Sequence, residues 1–431
     1  SGKPTAVVDD GFEALTERVL AGSNHLHHPR YLGHQVTAPL PLGALCELID
    51  GLLNNANAVF EMGPVVTAIE RNLSRWLGAR LGWDKRCDGF FTSGGSLGNL
   101  TALLAARQVK AGLDVFSDGL HGGPPLAVLV SESAHYSVTR SLQIMGLGRP
   151  GAVKVPVDDA YRLRPEALAE AFDRAVAAGR RPIAVAASAC CTATGTFDPL
   201  EAIADFCAER DLWLHVDGAH GASAALSERY RGLLAGIDRA DSVVWDAHKM
   251  LLTPALCTAV LFRDGDDSFC AFTQQASYLL HAQHPRDEWY NLCGRTVECT
   301  KTMTALRLYA ALAVYGPGML GDYVTDRFEL GRRFGEMLAE ASDFELPVAP
   351  ECNIVCFAWR PPDGRDRPGL QAAIRQRLLA EERFHIVQTQ LGGRVWLRVT
   401  IINPLTTEVD LAALMEAIRE AGQGVLAGLS E

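Results

Sequence analysis

Leu212-Trp213-Leu214-His215-Val216-Asp217-Gly218-Ala219-His220 is a short apolar run that ends in a carboxylate and a turn. Such a run reads as a buried strand with an ionisable side chain at its carboxyl end, where open parallel sheets gather their ligand sites. The pattern repeats outward from it. Ser242 to Trp245 is a second apolar strand and runs directly into Asp246-Ala247-His248-Lys249. Upstream, Pro182 to Ala187, Leu126 to Ser131 and Asp88 to Thr92 read as strands. Helical stretches at Leu100 to Val109, Pro165 to Ala178 and Leu200 to Glu209 lie between them, and Val65 to Trp76 has apolar residues at helical spacing. Strands alternating with helices predict a mainly parallel sheet covered on both faces.

Near Gly316 to Gly321 this alternation breaks. After a linking helix, Cys352 to Trp359 and Val395 to Ile401 read as strands, and Pro368 to Glu382 and Val409 to Ala421 as helices. The expected division is an N-terminal helix and loop segment over residues 1–60, a large domain over 61–318 and a small α+β domain over 319–431.

Composition narrows the class of protein. A hydrophobic fraction of 48% with 21% charged residues is globular. Forty basic against 51 acidic residues leave a net charge of −11, which disfavours nucleic acid and membrane surfaces as partners. No run is long enough to span a bilayer, and no charged-then-apolar leader pattern is visible, so a cytoplasmic location is expected. The 11 cysteines include no Cys-x-x-Cys pair, which argues for reduced thiols rather than a zinc or disulfide framework.

Each candidate for chemistry has a bland reading beside its sharper one. Lys249 at the end of a buried strand is either a snorkelling structural lysine or an amine that forms a Schiff base. Asp217 is either a helix N-cap or a buried carboxylate that requires a cation, such as the pyridinium nitrogen of pyridoxal 5′-phosphate (PLP). His215, Asp217 and His220 together could instead hold a metal ion, which would make the protein a metal-dependent hydrolase. Thr92-Ser93-Gly94-Gly95-Ser96-Leu97-Gly98-Asn99 follows a strand and opens a helix, which suits a phosphate. It lacks the spacing of dinucleotide and Walker loops. His135 is a lone histidine after a strand, either structural or placed to stack on a cofactor ring.

The order of phosphate turn, stacking histidine, strand-end aspartate and lysine resembles the fold-type I PLP enzymes. It is most similar to the group II amino-acid decarboxylases, over about His28 to Ala421. The resemblance implies an aspartate-aminotransferase-like α/β large domain with a mainly parallel seven-stranded sheet, plus a smaller C-terminal α+β domain. It also implies PLP as cofactor, a homodimer with active sites at the subunit boundary, and decarboxylation of an L-amino acid with a small acidic or polar side chain.

Residue by residue, Gly95 and Ser96 fall where the family binds phosphate, and His135 where it stacks a histidine on the ring. Thr192 falls beside the cofactor, Asp217 at the pyridine nitrogen, and His248-Lys249 at the family's His-Lys pair. Gly33-His34-Gln35 resembles the substrate-side loop, with Gln35 a substrate contact. Arg398 resembles the small-domain arginine that meets the substrate carboxylate; its bland reading is a surface ion pair on an edge strand. Tyr290, nine residues before Cys299, has the spacing of the mobile-loop tyrosine that returns a proton to the substrate carbon. Its bland reading is a half-exposed loop residue.

Three departures from the family pattern stand out. Ser188-Ala189-Cys190-Cys191-Thr192 replaces a Thr-x-Gly-Thr-Thr loop, His220 stands where an aromatic residue is common, and Asp246 replaces a frequent Asn. The same fold can also run aldehyde-synthase or transaminase-like chemistry, because substrate orientation selects which bond breaks.

Overall fold

The computed structural model describes residues 11–272, 285–365 and 367–428. Seven strands form the first sheet: β1 (Asp88–Thr92), β2 (Leu126–Ser131), β3 (Ala152–Val155), β4 (Arg181–Ser188), β5 (Trp213–Asp217), β6 (Ser242–Asp246) and β7 (Thr258–Phe262). Their order is β1-β7-β6-β5-β4-β2-β3. Pairings from β3 through β6 are parallel, whereas β7 runs antiparallel to both β6 and β1. This is the mainly parallel α/β sheet that the alternating pattern predicts. The reversal at β7 has a simple cause: the link from β6 holds only the short helix Ala247–Met250, too little chain for a parallel crossover.

β1, β2, β5, β6 and β7 are buried along their whole length, as a sheet covered on both faces requires. Apolar clusters fill both sides, one built around Trp245 and Phe328, the other around Phe90, Trp213 and Phe262. Because β7 lies between β1 and β6, all ligand-bearing turns still emerge on one edge: after β1, β2, β4, β5 and β6.

Four strands make the second sheet: β8 (Phe344–Glu345), β9 (Ile354–Trp359), β10 (Val387–Leu391) and β11 (Arg394–Thr400), in the order β10-β11-β9-β8. Helices Leu370–Ala380 and Glu408–Gly428 accompany it around their own core. The break expected near Gly316 is a kink inside one helix, Thr304–Glu340, which joins the two sheets. Pro317 lacks the N–H that a straight helix would use, and Gly316 takes φ 78° at the bend.

Two connections position the site. The segment before Gln35 is laced to the second sheet: Leu32 N–H donates to His385 O (2.9 Å), Thr400 N–H donates to Leu32 O (2.9 Å), and Asn403 Nδ2 donates to Leu26 O and His28 O. Near the carboxyl end of β1, Glu70 is fully buried and accepts from Phe91 N–H (2.8 Å), Asn57 Nδ2 (2.8 Å) and the Lys301 ammonium. Lys301 also donates to Phe91 O (2.7 Å). Lys301→Met is expected to strand that carboxylate and destabilise the protein by about 3–5 kcal/mol. Urea unfolding checks this, and an unchanged midpoint would remove the pair from the account of β1.

Candidate active site

One cavity of about 410 Å³ opens on the edge where the strand ends converge. Gln35, Gly95, Ser96, His135, Thr192, Asp217, His220, His248 and Lys249 line it. Chain segments far apart in sequence therefore meet at the carboxyl ends of β2, β4, β5 and β6 and at the turn after β1.

The turn after β1 is made for close approach. Gly94 has φ 120°, and a Cβ on Gly95 would stand 3.0 Å from the Asp246 carboxylate oxygens. The helix Gly95–Lys110 begins here and presents unpaired N–H groups at its positive end. Asn99, one turn further on, donates from Nδ2 to Asp217 Oδ2 (2.9 Å) and to Ser137 Oγ (2.9 Å). Its Oδ1 is 2.9 Å from His215 Nε2, and His215 Nδ1 is 2.9 Å from Ser242 Oγ. Both His215 nitrogens are thus engaged inside the fold. The metal-site reading of His215, Asp217 and His220 fails for this reason, and His220 Nε2 is likewise tied to Asn353.

Asp217 is buried and accepts from Asn99 and from Ala219 N–H (3.2 Å), both neutral donors. Among the described residues no cation pairs with it directly. A buried carboxylate in that state lacks a positive partner. His135 stands opposite, its Nδ1 2.7 Å from Ser137 Oγ. Burial outweighs the Asp217 and Asp246 carboxylates and pushes its imidazole below the ordinary value, so it offers a neutral ring face.

Lys249 Nζ is 3.0 Å from Asp246 Oδ2. Burial pulls the ammonium down, but Asp246 and Asp217 together outweigh burial and raise it. Asp246 also accepts from Thr258 Oγ1 (2.6 Å). Burial pushes its carboxyl up, yet Lys249, His248 and Thr258 bring it below the usual range. His248 accepts from Cys257 N–H at Nδ1 (3.1 Å), leaving Nε2 3.7 Å from Asp246.

Two expected residues lie off the cavity wall. Arg398 is buried on β11, an interior strand, so the alternative of a surface ion pair on an edge strand is overturned. It donates to Thr192 O (2.7 Å) and Ala193 O (3.2 Å), propping the loop that carries Thr192. Burial and then the Arg398 and Arg375 charges push the His34 imidazole down, so the Arg398 charge reaches the loop of Gln35. Tyr290 packs at 5.0 Å against Phe60, outside the cavity lining of this chain.

A phosphorylated pyridine aldehyde fits this donor set. The turn at Gly94 to Ser96 would hold its phosphate, Asp217 would pair with its ring nitrogen, and the Lys249 amine would take its aldehyde. Residues 8–360 match the family model described as the pyridoxal-dependent decarboxylase conserved domain. The chain belongs to the pyridoxal-dependent decarboxylase family. The rat cysteine sulfinic acid decarboxylase is 32% identical over 92% of this chain and 82% of the relative. The bovine acidic amino acid decarboxylase GADL1 is 31% identical over 94% of this chain and 80% of the relative. The crystal structure of mouse CSAD in apo form superposes with a TM-score of 0.88 at 30% identity, covering 95% of this chain and 88% of that one. This decarboxylase is accordingly a PLP-dependent carboxy-lyase acting on an amino acid, with the fold-type I α/β architecture.

Asn99, Ser137, Asp246 and Cys190 also line the decarboxylase cavity and had no role assigned from sequence. Asn99 had a usable signal in its position one helical turn beyond Gly95, and Asp246 in its place at a strand end three residues before Lys249.

The buried histidines carry a pH prediction. Burial pushes His215 down to about 4 and His220 down to about 3. An unfolded histidine binds its proton near 6.5, so folding is most stable above that pH and loses stability as pH falls. Each histidine contributes a slope of about 1.4 kcal/mol per pH unit. Asp198 and Asp267, both raised to about 6 by burial, oppose the two histidines below that value, so the net loss accumulates mainly between about pH 7 and 6. The urea midpoint at pH 5 is therefore expected below that at pH 7, and an equal or higher midpoint would contradict the buried-neutral assignment.

Proposed function

We propose that this enzyme removes the α-carboxylate from a small acidic L-amino acid, such as cysteine sulfinate, aspartate or glutamate, in a cytoplasmic homodimer. The observation that carries the reading is the facing of Lys249 and Asp217 across one cavity that begins at the Gly94–Ser96 turn. PLP, when bound, supplies a protonated pyridine ring that takes up the electron pair left when the carboxylate departs.

The chain's residues do the rest. Lys249 holds the aldehyde and hands the site to the substrate amine. Asp217 keeps the ring nitrogen protonated, with Asn99 and Ala219 N–H fixing its oxygens. The turn at Gly95 and Ser96 would hold the phosphate, with His248 close by, while His135 would stack on the ring and Thr192 would lie beside it. Gln35 Nε2 is buried without a partner and offers a donor for a substrate acid group. Arg398 lends positive potential through the Thr192 loop and orients a carboxylate. Tyr290 returns a proton to the substrate carbon, which requires it to reach a cavity it does not line within this chain.

The dimer is supported by exposed apolar side chains, among them Phe60, which packs against Tyr290. Leu45, Leu48, Ile49 and Leu52 project from the helix Pro41–Leu53, and Phe60, Met62 and Val65 follow. Light scattering at twice the chain mass is the expected result. The location is supported by thiols such as Cys46, Cys87, Cys207 and Cys257, buried and in no disulfide, as a reducing compartment favours. Among the described residues no helix is long and apolar enough to cross a membrane.

A substrate panel tests the reading. CO₂ release from cysteine sulfinate, aspartate or glutamate should exceed that from aromatic amino acids by roughly 100-fold in kcat/KM, about the discrimination a pair of satisfied charged contacts gives. Preference for an aromatic substrate would overturn it. In the same assay Tyr290→Phe should retain cofactor yet slow amine formation or divert product to aldehyde. An unchanged rate and product would take Tyr290 out of the mechanism.

A further inference from the structure

His220 stands three residues beyond Asp217, in the cavity wall, and is 2% exposed. Its Nε2 is 2.8 Å from Asn353 Oδ1. The orientation of that amide is set by its other end, because Asn353 Nδ2 donates to Ile401 O (3.1 Å) and contacts Met250 Sδ (3.3 Å). The Asn353 oxygen must therefore face the ring, which makes Nε2 the protonated nitrogen. Nδ1 is then a bare acceptor, and it is buried with no partner. A buried acceptor left unsatisfied is costly, so this one awaits a donor. Burial, together with the Lys249 and Arg398 charges, keeps the imidazole neutral, so Nδ1 does not become a donor.

The strand order identifies the donor. Along the sheet the phosphate turn follows β1, Lys249 follows β6, and His220 follows β5. His220 thus lies on the far side of Lys249 from the phosphate turn, in the same cavity wall as Cys190 and Thr192 from the loop after β4. In PLP the ring carbon that bears the aldehyde lies between the ring carbon bearing the phosphate arm and the one bearing a hydroxyl. With the phosphate on the β1 side and the aldehyde at Lys249, the hydroxyl faces the β5 side.

We propose that His220 Nδ1 accepts a hydrogen bond from the 3-hydroxyl of the cofactor, and that Asn353 is the positioning residue that imposes the required tautomer. The proposal rests on the Lys249–Asp217 reading above. It assigns this chain a proton-holding device at the position where its family resemblance leads one to expect an aromatic ring. The hydroxyl keeps its proton instead of sharing it with the nitrogen that links the cofactor to Lys249. The resting cofactor is thereby biased toward its shorter-wavelength absorbing form.

Absorbance spectra of the PLP-loaded protein test this. In His220→Phe the acceptor is gone. In Asn353→Asp the new carboxylate favours the imidazolium, whose Nδ1–H donates instead. Both variants should lower the ratio of the shorter- to the longer-wavelength band by about fivefold, the size of one net hydrogen bond. Cofactor-loaded variants with the wild-type ratio would overturn the proposal, since a merely structural role lowers cofactor content without moving the ratio. Nitrogen NMR of histidine-labelled, cofactor-free wild type provides a readout that needs no loading. An unprotonated Nδ1 on His220 is expected, and a protonated Nδ1 overturns the assignment. Failure of the Lys249 reading is distinct: borohydride treatment of PLP-loaded wild type would then leave no reduced adduct at Lys249.

Discussion

Lys249→Ala is expected to abolish the cofactor adduct trapped by borohydride and to lower CO₂ release by about 10⁴-fold or more, the scale on which loss of a covalent catalytic group acts. Lys249 Nζ is the amine on the cavity wall, held 3.0 Å from Asp246. That same contact predicts a second effect. Removing the ammonium leaves the Asp246 carboxylate buried with His248 and Thr258 as its remaining partners. The cofactor-free variant should therefore lose about 3 kcal/mol of stability, and adding Asp246→Asn should recover most of it while activity stays absent. Stability measured with and without Asp246→Asn separates the two roles. A borohydride adduct at another lysine, or full turnover in Lys249→Ala, would end the reading.

Asp217→Asn is the second large effect. The carboxylate accepts from Asn99 Nδ2 and Ala219 N–H, and no cation within the described residues pairs with it. An amide has the shape but not the charge, so it no longer favours a proton on the facing ring nitrogen. kcat should fall roughly 10²–10³-fold, as when one preorganised charge contact to a developing charge is lost. KM should move little, because Asp217 meets the ring and not the substrate. Asp217→Glu should restore part of kcat if geometry permits the charge to reach. Wild-type kcat in Asp217→Asn would mean that the carboxylate is structural, held there only to anchor Asn99.

Much of this was legible along the chain. β1, β2, β4, β5 and β6 announce themselves because both of their faces are buried, which leaves nearly unbroken apolar runs. β7 was not read, because Thr258–Phe262 ends a largely apolar stretch from Leu251 that only Thr253, Pro254 and Thr258 interrupt, and it shows no period of its own. β3 was not read because it is an edge strand with three of its four residues incompletely buried. Lys249, Asp217, His135 and Gly95 could be picked out because residue type, position at a strand end and order along the chain all agree.

Residue identity and periodicity by themselves determined the alternation of strand and helix, the edge on which a site must lie, and the residues able to carry covalent and charge chemistry. The tertiary structure decided the partners. Asn99 meets Asp217 across 118 residues, and His220 meets Asn353 across 133. It also decided that Arg398 braces a loop, that Asp246 pairs with Lys249, and that His220 leaves Nδ1 open. The reason is physical: a strand's apolar pattern is set by burial at that position, whereas a hydrogen bond's direction and a buried group's charge depend on atoms brought in from elsewhere in the chain.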